Sequence, residues 1–219
     1  MSKRLVLLMM GAAMMPLSSC NGTFNWIYDE PSLAADFGFI EIDEAAGTGT
    51  IYIDATSYAK WTYIDFQSAT IDTTMLSADG SENGDVLSWD FAVHRYDTKT
   101  NEGLVMETSF TSLDAFAESG KLPDGEWVAD IWTDSTVTID MSGMMDGEIV
   151  YAPSYYNAEL SKWLDVDTST MPPVYALSGK VYLLKTADGR MAAIRLSNYM
   201  NESKVKGYMT IDYIYPLGL

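Results

Sequence analysis

The chain has 219 residues, 47% of them hydrophobic, and carries 13 basic against 31 acidic side chains for a formal charge of −18. That much negative charge repels phosphate backbones and anionic lipid heads, which excludes a nucleic-acid role. One cysteine and one histidine exclude disulfide frameworks, cysteine-ligated metal centres, most zinc sites and histidine-based hydrolytic triads.

Lys3 and Arg4 open the chain with positive charge, Leu5 to Met15 is an apolar run, Pro16 breaks it, and Leu17-Ser18-Ser19-Cys20 follows. Charge, apolar run, breaker and small residues before a cysteine come in the order of a bacterial lipoprotein signal. Residues 1–19 are expected to be the signal peptide and Cys20 the lipidated first mature residue, anchoring the protein to a membrane through lipid alone. The alternative, an N-terminal helix with a buried cysteine, does not account for that order. The run is too short to span a bilayer. Loss of Lys3 and Arg4 leaves 11 basic against 31 acidic side chains, a balance of −20. Residues 20–36 read as a tether, and 37–219 as one folded domain.

Beyond the tether the pattern is mostly period two, rich in aromatic and β-branched residues. Strands are expected around 50–54, 61–66, 86–96, 103–109 and 135–141. A C-terminal antiparallel series is expected at 180–186, 191–196 and 207–216, with Asp188-Gly189 supplying the positive φ of a tight turn. Ser112 to Ser119, capped by serine and stopped by Gly120, predicts a short helix, and 157–164 a second. The fold class is all-β: a single antiparallel β-rich domain with one or two short helices.

Three segments carry a resemblance. They are Trp89-Asp-Phe-Ala-Val-His-Arg-Tyr-Asp97 with Thr100-Asn101-Glu-Gly103; Trp163-Leu-Asp with Tyr175-Ala-Leu-Ser178; and Val181 to Arg190 running into Gly207 to Pro216. In order and spacing they resemble the HmuY family of haem-binding lipoproteins of the Bacteroidetes, over roughly residues 45–219. The resemblance implies an HmuY-type β domain and a haemophore function. Haem would be taken from host haemoproteins and passed to a TonB-dependent outer-membrane haem receptor. It also implies lipid anchorage at the outer membrane, on the cell surface, and iron held from both sides by side chains of two separate segments, histidine in some members and methionine in others.

The two corresponding segments here read Met141-Ser-Gly-Met-Met-Asp-Gly-Glu148 and Val166-Asp-Thr-Ser-Thr-Met-Pro-Pro173, without histidine. The direct positional matches fall near Glu148 and Thr168, both poor haem-iron ligands, so bis-histidine ligation does not carry over. His94 lies in a strand motif that the family does not use for iron and reads as structural, sharing a face with Asp90, Ala92 and Tyr96. Methionine thioethers are neutral, soft and competent axial ligands that favour ferrous iron. Together with the resemblance, Met145 and Met171 are the expected axial pair, with Met144 as second choice in the first segment. Methionine is also a common core filler, and Met106, Met191 and Met209 sit in strand patterns that predict packing. Tyr155, Tyr156, Trp163 and Tyr175 fit either a cleft wall or the core.

Two other classes stay open. A surface lipoprotein that has lost haem and binds a glycan or protein partner would use exposed Trp and Tyr on the β scaffold. A paired-carboxylate glycosidase is formally possible, but no carboxylate cluster stands out, and the expected protein is not an enzyme.

Overall fold

The computed structural model describes residues 37–170 and 172–218. The signal segment, Cys20, the tether and Met171 lie outside the described residues. In chain order the elements are β1 (Phe39–Asp43), β2 (Thr48–Asp54), β3 (Lys60–Asp65), β4 (Thr70–Leu76), β5 (Glu82–Asn83), β6 (Phe91–His94), β7 (Asp97–Thr100) and β8 (Leu104–Glu107). Helix α1 (Leu113–Ser119) follows, then β9 (Val128–Ala129), β10 (Ile131–Thr133), β11 (Thr138–Gly143), β12 (Glu148–Tyr151), β13 (Ser154–Tyr156), β14 (Leu164–Asp167) and β15 (Val174–Leu177). The chain closes with β16 (Tyr182–Lys185), β17 (Met191–Met200) and β18 (Lys206–Ile214), and 3₁₀ turns occupy Met144–Asp146 and Leu160–Trp163. The domain is all-β and antiparallel, as expected.

A seven-stranded sheet in the order β1-β2-β18-β17-β16-β8-β9 packs on a five-stranded sheet in the order β5-β4-β3-β6-β7. Between them lies the main core: Ile51 and Ile53 of β2, Ile64 of β3, Phe91 and Val93 of β6, Ile194 of β17 and Ile211 of β18, all fully buried. Each such side chain contributes roughly 1.5–3 kcal/mol on leaving water. The run Trp61–Phe66 is buried on both faces, not one. Ile64 and Phe66 enter the main core, while Trp61 and Tyr63 build a second cluster on the far side of the small sheet.

Helix α1 forms where its caps predict. Ser112 accepts a hydrogen bond from the Ala115 N–H, Gly120 ends the helix in left-handed geometry, and Phe116 packs on the outer face of the large sheet with Met106 and Leu183. The second expected helix is only the 3₁₀ turn at Leu160–Trp163, with Asn157 Oδ1 accepting from the Leu160 N–H at 2.8 Å. The expected strand at 86–96 is cut to Phe91–His94, because Arg95 takes a left-handed φ of 54° and turns the chain straight into β7.

Candidate functional site

Three two-stranded ribbons stand apart from the sheets: β10/β13, β11/β12 and β14/β15. The first two belong to one arm, residues 131–156, joined where the Ala152 N–H donates to the Val137 carbonyl at 2.9 Å. Val137 and Ala152 anchor this arm by packing with Trp61, Tyr63, Leu76 and Ala92. Register shifts at Thr138/Asp140 and Asp140/Gly143 mark irregularities along it, the second just before its tip.

The tip is a 3₁₀ turn between two glycines. Gly147 takes φ 80° and returns its N–H to the Met144 carbonyl at 3.1 Å. A Cβ on Gly143 would fall 2.6 Å from the Glu148 carbonyl oxygen, so only glycine fits there. Met145, set on this turn, is 85% exposed, whereas Met106 and Met209 are each 1% exposed and packed. Met144 is half-buried. Glu148 and Thr168 are exposed.

The second arm is the β14/β15 hairpin, residues 164–177. Its inner face carries Leu164 and Val166 opposite Leu177 and Tyr175, and its outer face carries Asp165 and Asp167 opposite Ala176 and Val174. Tyr175 stacks on Tyr199 at 5.6 Å and 10° and meets Tyr96 edge-on at 6.3 Å. Trp163 is buried in the core and donates its indole N–H to the Tyr96 carbonyl at 3.2 Å.

Strand β7 ties the two roots together. Asn157, at the end of the first arm, donates its N–H to the Thr98 carbonyl at 2.7 Å, and the Thr98 N–H donates to Ser161 Oγ at 3.0 Å. Asn157 Nδ2 also donates to Asp130, which accepts from Thr100. Between the roots lies a cavity of about 420 Å³ lined by Tyr96, Asp97, Tyr156, Ser161, Lys162 and Val166 among others. A larger cavity of about 730 Å³ lies against β1, β2, β18 and the start of α1, lined by the acids Glu41, Asp43, Asp114 and Asp212, away from both arms. Burial pushes the Asp97 carboxyl up to about 7, only partly offset by the Arg95 guanidinium. Tyr96 and Tyr156 are raised by the same cause, desolvation.

His94 stands outside the cleft. It is fully buried, its ring centroid 5.1 Å from that of Trp61, with Nε2 2.6 Å from the Tyr58 carbonyl. Burial pushes its imidazole down to about 4. The side-chain environment is structural, as expected, but Tyr96 does not share its face. The turn at Arg95 sends Tyr96 to the main core and the second arm.

The HmuY protein family matches residues 57–213, a stretch that contains both arms and the strands that carry them. The chain belongs to the HmuY family. A crystal structure described as a lipoprotein of Bacteroides fragilis is 52% identical, covering 86% of this chain and 100% of its own, with a TM-score of 0.81. One described as an HmuY-like haem-binding protein of Bacteroides vulgatus is 56% identical, covering 84% of this chain and 100% of its own, with a TM-score of 0.77. The apo HmuY analogue of Tannerella forsythia shares the fold at 24% identity and a TM-score of 0.63, covering 76% of this chain and 94% of its own. No curated protein matches the chain. No helix among the described residues is long and apolar enough to cross a membrane.

Within this HmuY-family fold, the two segments singled out from sequence are the ends of the two arms. Of the three methionines expected as ligands, Met144 and Met145 share the first tip, and Met171 lies outside the described residues. Tyr156 lines the cavity, Tyr175 forms the inner wall of the second arm, Tyr155 is exposed, and Trp163 is core. Sequence reasoning passed over Asp97 and Lys206. Lys206 holds its Nζ 4.2 Å from the Tyr175 ring centroid, a contact across 31 residues that no local spacing signals.

Proposed function

We propose that this chain captures haem between its two arms, with the thioethers of Met145 and Met171 as axial ligands, and delivers it to an outer-membrane haem receptor. The observation that carries this reading is the placement of Met145. A side chain that normally fills cores stands 85% exposed on a turn that its flanking glycines fix. Such a thioether has given up its packing and is available to a ligand. The 56% identity to a protein described as haem-binding supports the same reading.

In this role the protein does no chemistry on its cargo. Met145 and Met171 would hold the iron by their thioethers, and Val166 and Tyr175 on the inner face of the second arm would form an apolar wall that keeps water from it. A soft neutral ligand holds ferrous iron in preference to ferric, so oxidation favours release to the receptor. Host haemoproteins are the source of haem, and Cys20 carries the lipid that holds the protein at the outer-membrane surface.

The test is haem titration of the purified protein with and without dithionite. A sharp low-spin Soret band is expected in the reduced sample, lost in the Met145→Ala/Met171→Ala double variant. A spectrum identical to free haem in both redox states overturns the reading.

One observation favours a second reading, recognition of a glycan or protein. Trp132 and Tyr155 form an edge-to-face pair at 5.1 Å on the first arm while 61% and 55% exposed. Trp132→Ala separates the two. It leaves the haem spectrum intact under the first reading and abolishes partner binding under the second.

A further inference from the structure

Asp97 begins β7, is 9% exposed, and lines the cavity between the roots of the two arms. No hydrogen bond or salt bridge to its carboxyl forms among the described residues. Burial pushes it up to about 7, opposed by the Arg95 guanidinium. That guanidinium donates to the Thr56 carbonyl at 2.8 Å and lies over the Tyr58 ring. Asp65, the other aspartate buried to this degree among the described residues, accepts from the Gln67 and Ser68 N–H groups. A carboxyl buried without such partners costs stability, and a ligand that brings a positive charge offsets that cost.

The cavity suits one cationic group on an apolar stem. Its volume, about 420 Å³, is at the small end for ligand sites. Tyr96 and Tyr156 supply aromatic surface, which attracts a cation. Leu164 and Val166 supply aliphatic surface, and Ser161 adds an oxygen beside Asp97. An anion would meet both Asp97 and Asp165. Lys162 also lines the cavity, but its Nζ is paired with Glu159 at 2.5 Å and its side chain is 58% exposed. The chain's own lysine is therefore engaged elsewhere.

We propose that the cavity between the arm roots binds a primary ammonium or guanidinium group on an aliphatic stem, as in a lysine or arginine side chain, with Asp97 as its counter-ion. The formal charge of −18 steers such cations towards the protein. The site is separate from the axial thioethers proposed above and does not depend on bound haem.

The charged and titratable groups around Asp97 are Arg95, His94 across the strand pair, Tyr96, Tyr156, Lys162 and Asp165. Burial pushes His94 down to about 4 and both tyrosines up, and the bond to Glu159 raises Lys162. None of those four titrates near neutrality, where Asp97 does. A cation needs the ionised carboxylate, so binding tightens as pH rises through 7.

The test titrates the purified protein, without added haem, with n-butylammonium, n-butylguanidinium and the neutral 1-butanol, following the amide shifts of residues 96–98 and 161–166. Both cations are expected to bind at pH 8, about tenfold more weakly at pH 6, and 1-butanol not at all. Asp97→Asn, which removes a buried charge and so keeps the fold, weakens both at pH 8 by about tenfold or more and abolishes the pH dependence. Tyr156→Leu also weakens both, while Asp165→Asn, at an exposed position, changes them less than about threefold. Binding of N-acetyl-lysinamide and N-acetyl-argininamide as well assigns the group to a protein side chain. Binding of the butyl cations alone assigns it to a small amine. Equal affinity in Asp97→Asn, binding of 1-butanol alongside the cations, or no shift with any cation overturns the proposal and leaves haem capture standing.

Discussion

His94 and Asp97 face each other across the tight turn between β6 and β7, and burial drives their protonation in opposite directions. His94 is pushed from 6.5 down to about 4, so the native state favours its neutral form. Its contribution is complete above pH 6.5 and is lost as pH falls towards 4, where the unfolded chain binds the extra proton. Asp97 is pushed from 3.8 up to about 7, so the native state favours its acid form. Its contribution is complete below pH 3.8 and is lost as pH rises through 7. The two slopes oppose each other over the same window. Asp97→Asn is expected to raise stability at pH 8 by about 2–4 kcal/mol and to change little at pH 4. His94→Gln removes the loss on the acid side. Denaturant titrations across pH check both, and a native-like pH profile in either variant contradicts the assignment.

The two methionines at the first tip differ in exposure, and conservative substitutions separate them. Met145→Leu is expected to abolish the low-spin spectrum of ferrous haem, while Met144→Leu retains it. Swaps of this volume cost less than about 1.5 kcal/mol even in a core, so folding does not confuse the readout. The reverse pattern moves the ligand to Met144.

Gly143→Ala tests whether the turn itself matters. The added Cβ meets the Glu148 carbonyl oxygen at 2.6 Å, so the tip must shift. The tip belongs to no core cluster. Thermal stability should therefore stay within about 1 kcal/mol of native, while haem affinity falls at least tenfold. A large drop in melting temperature would mean that the tip supports the fold.

Lys99 lies among the aromatic rings of the small sheet on which the first arm packs. It is nearly buried, with Nζ 4.4 Å from the Trp61 ring, 5.0 Å from Tyr63 and 5.7 Å from Trp89, and it pairs with Glu82. Glu82 also accepts from Tyr63 and Thr74. Lys99→Met leaves that carboxylate without its cation and is expected to cost about 3–5 kcal/mol. Removing the acid too, with Glu82→Gln, recovers most of it. Because Trp61 packs with Val137 and Ala152, the single variant should also loosen the first arm, seen as faster amide exchange over residues 131–156.

Helix α1 was legible because one serine and one glycine bound it, and the β16/β17 hairpin because Gly189 supplies a φ of 87°. The arms were not. Ile131 and Trp132 are both exposed, as are Ala176 and Leu177, so no alternation announces those strands. The stretch 86–96 alternates convincingly, yet Leu87 is 98% exposed, and the left-handed Arg95 ends the strand before Tyr96. At the site, the two tips were found through family spacing and the glycines around Met145. The environments of Asp97 and Lys206 come from elements that meet only in three dimensions, which leaves no trace in local spacing.

Both arms are built of two-stranded ribbons, and the edge strand of a ribbon is a ready template for another strand. Along these edges the exposed side chains include Asp140, Glu148, Asp165 and Asp167. In the lipid-anchored state proposed above, where copies would be crowded into two dimensions, that charge keeps ribbon from zipping to ribbon. Replacing these four carboxylates by their amides would remove the repulsion, so the charge that keeps the two ribbons of one molecule apart also keeps neighbouring molecules separate.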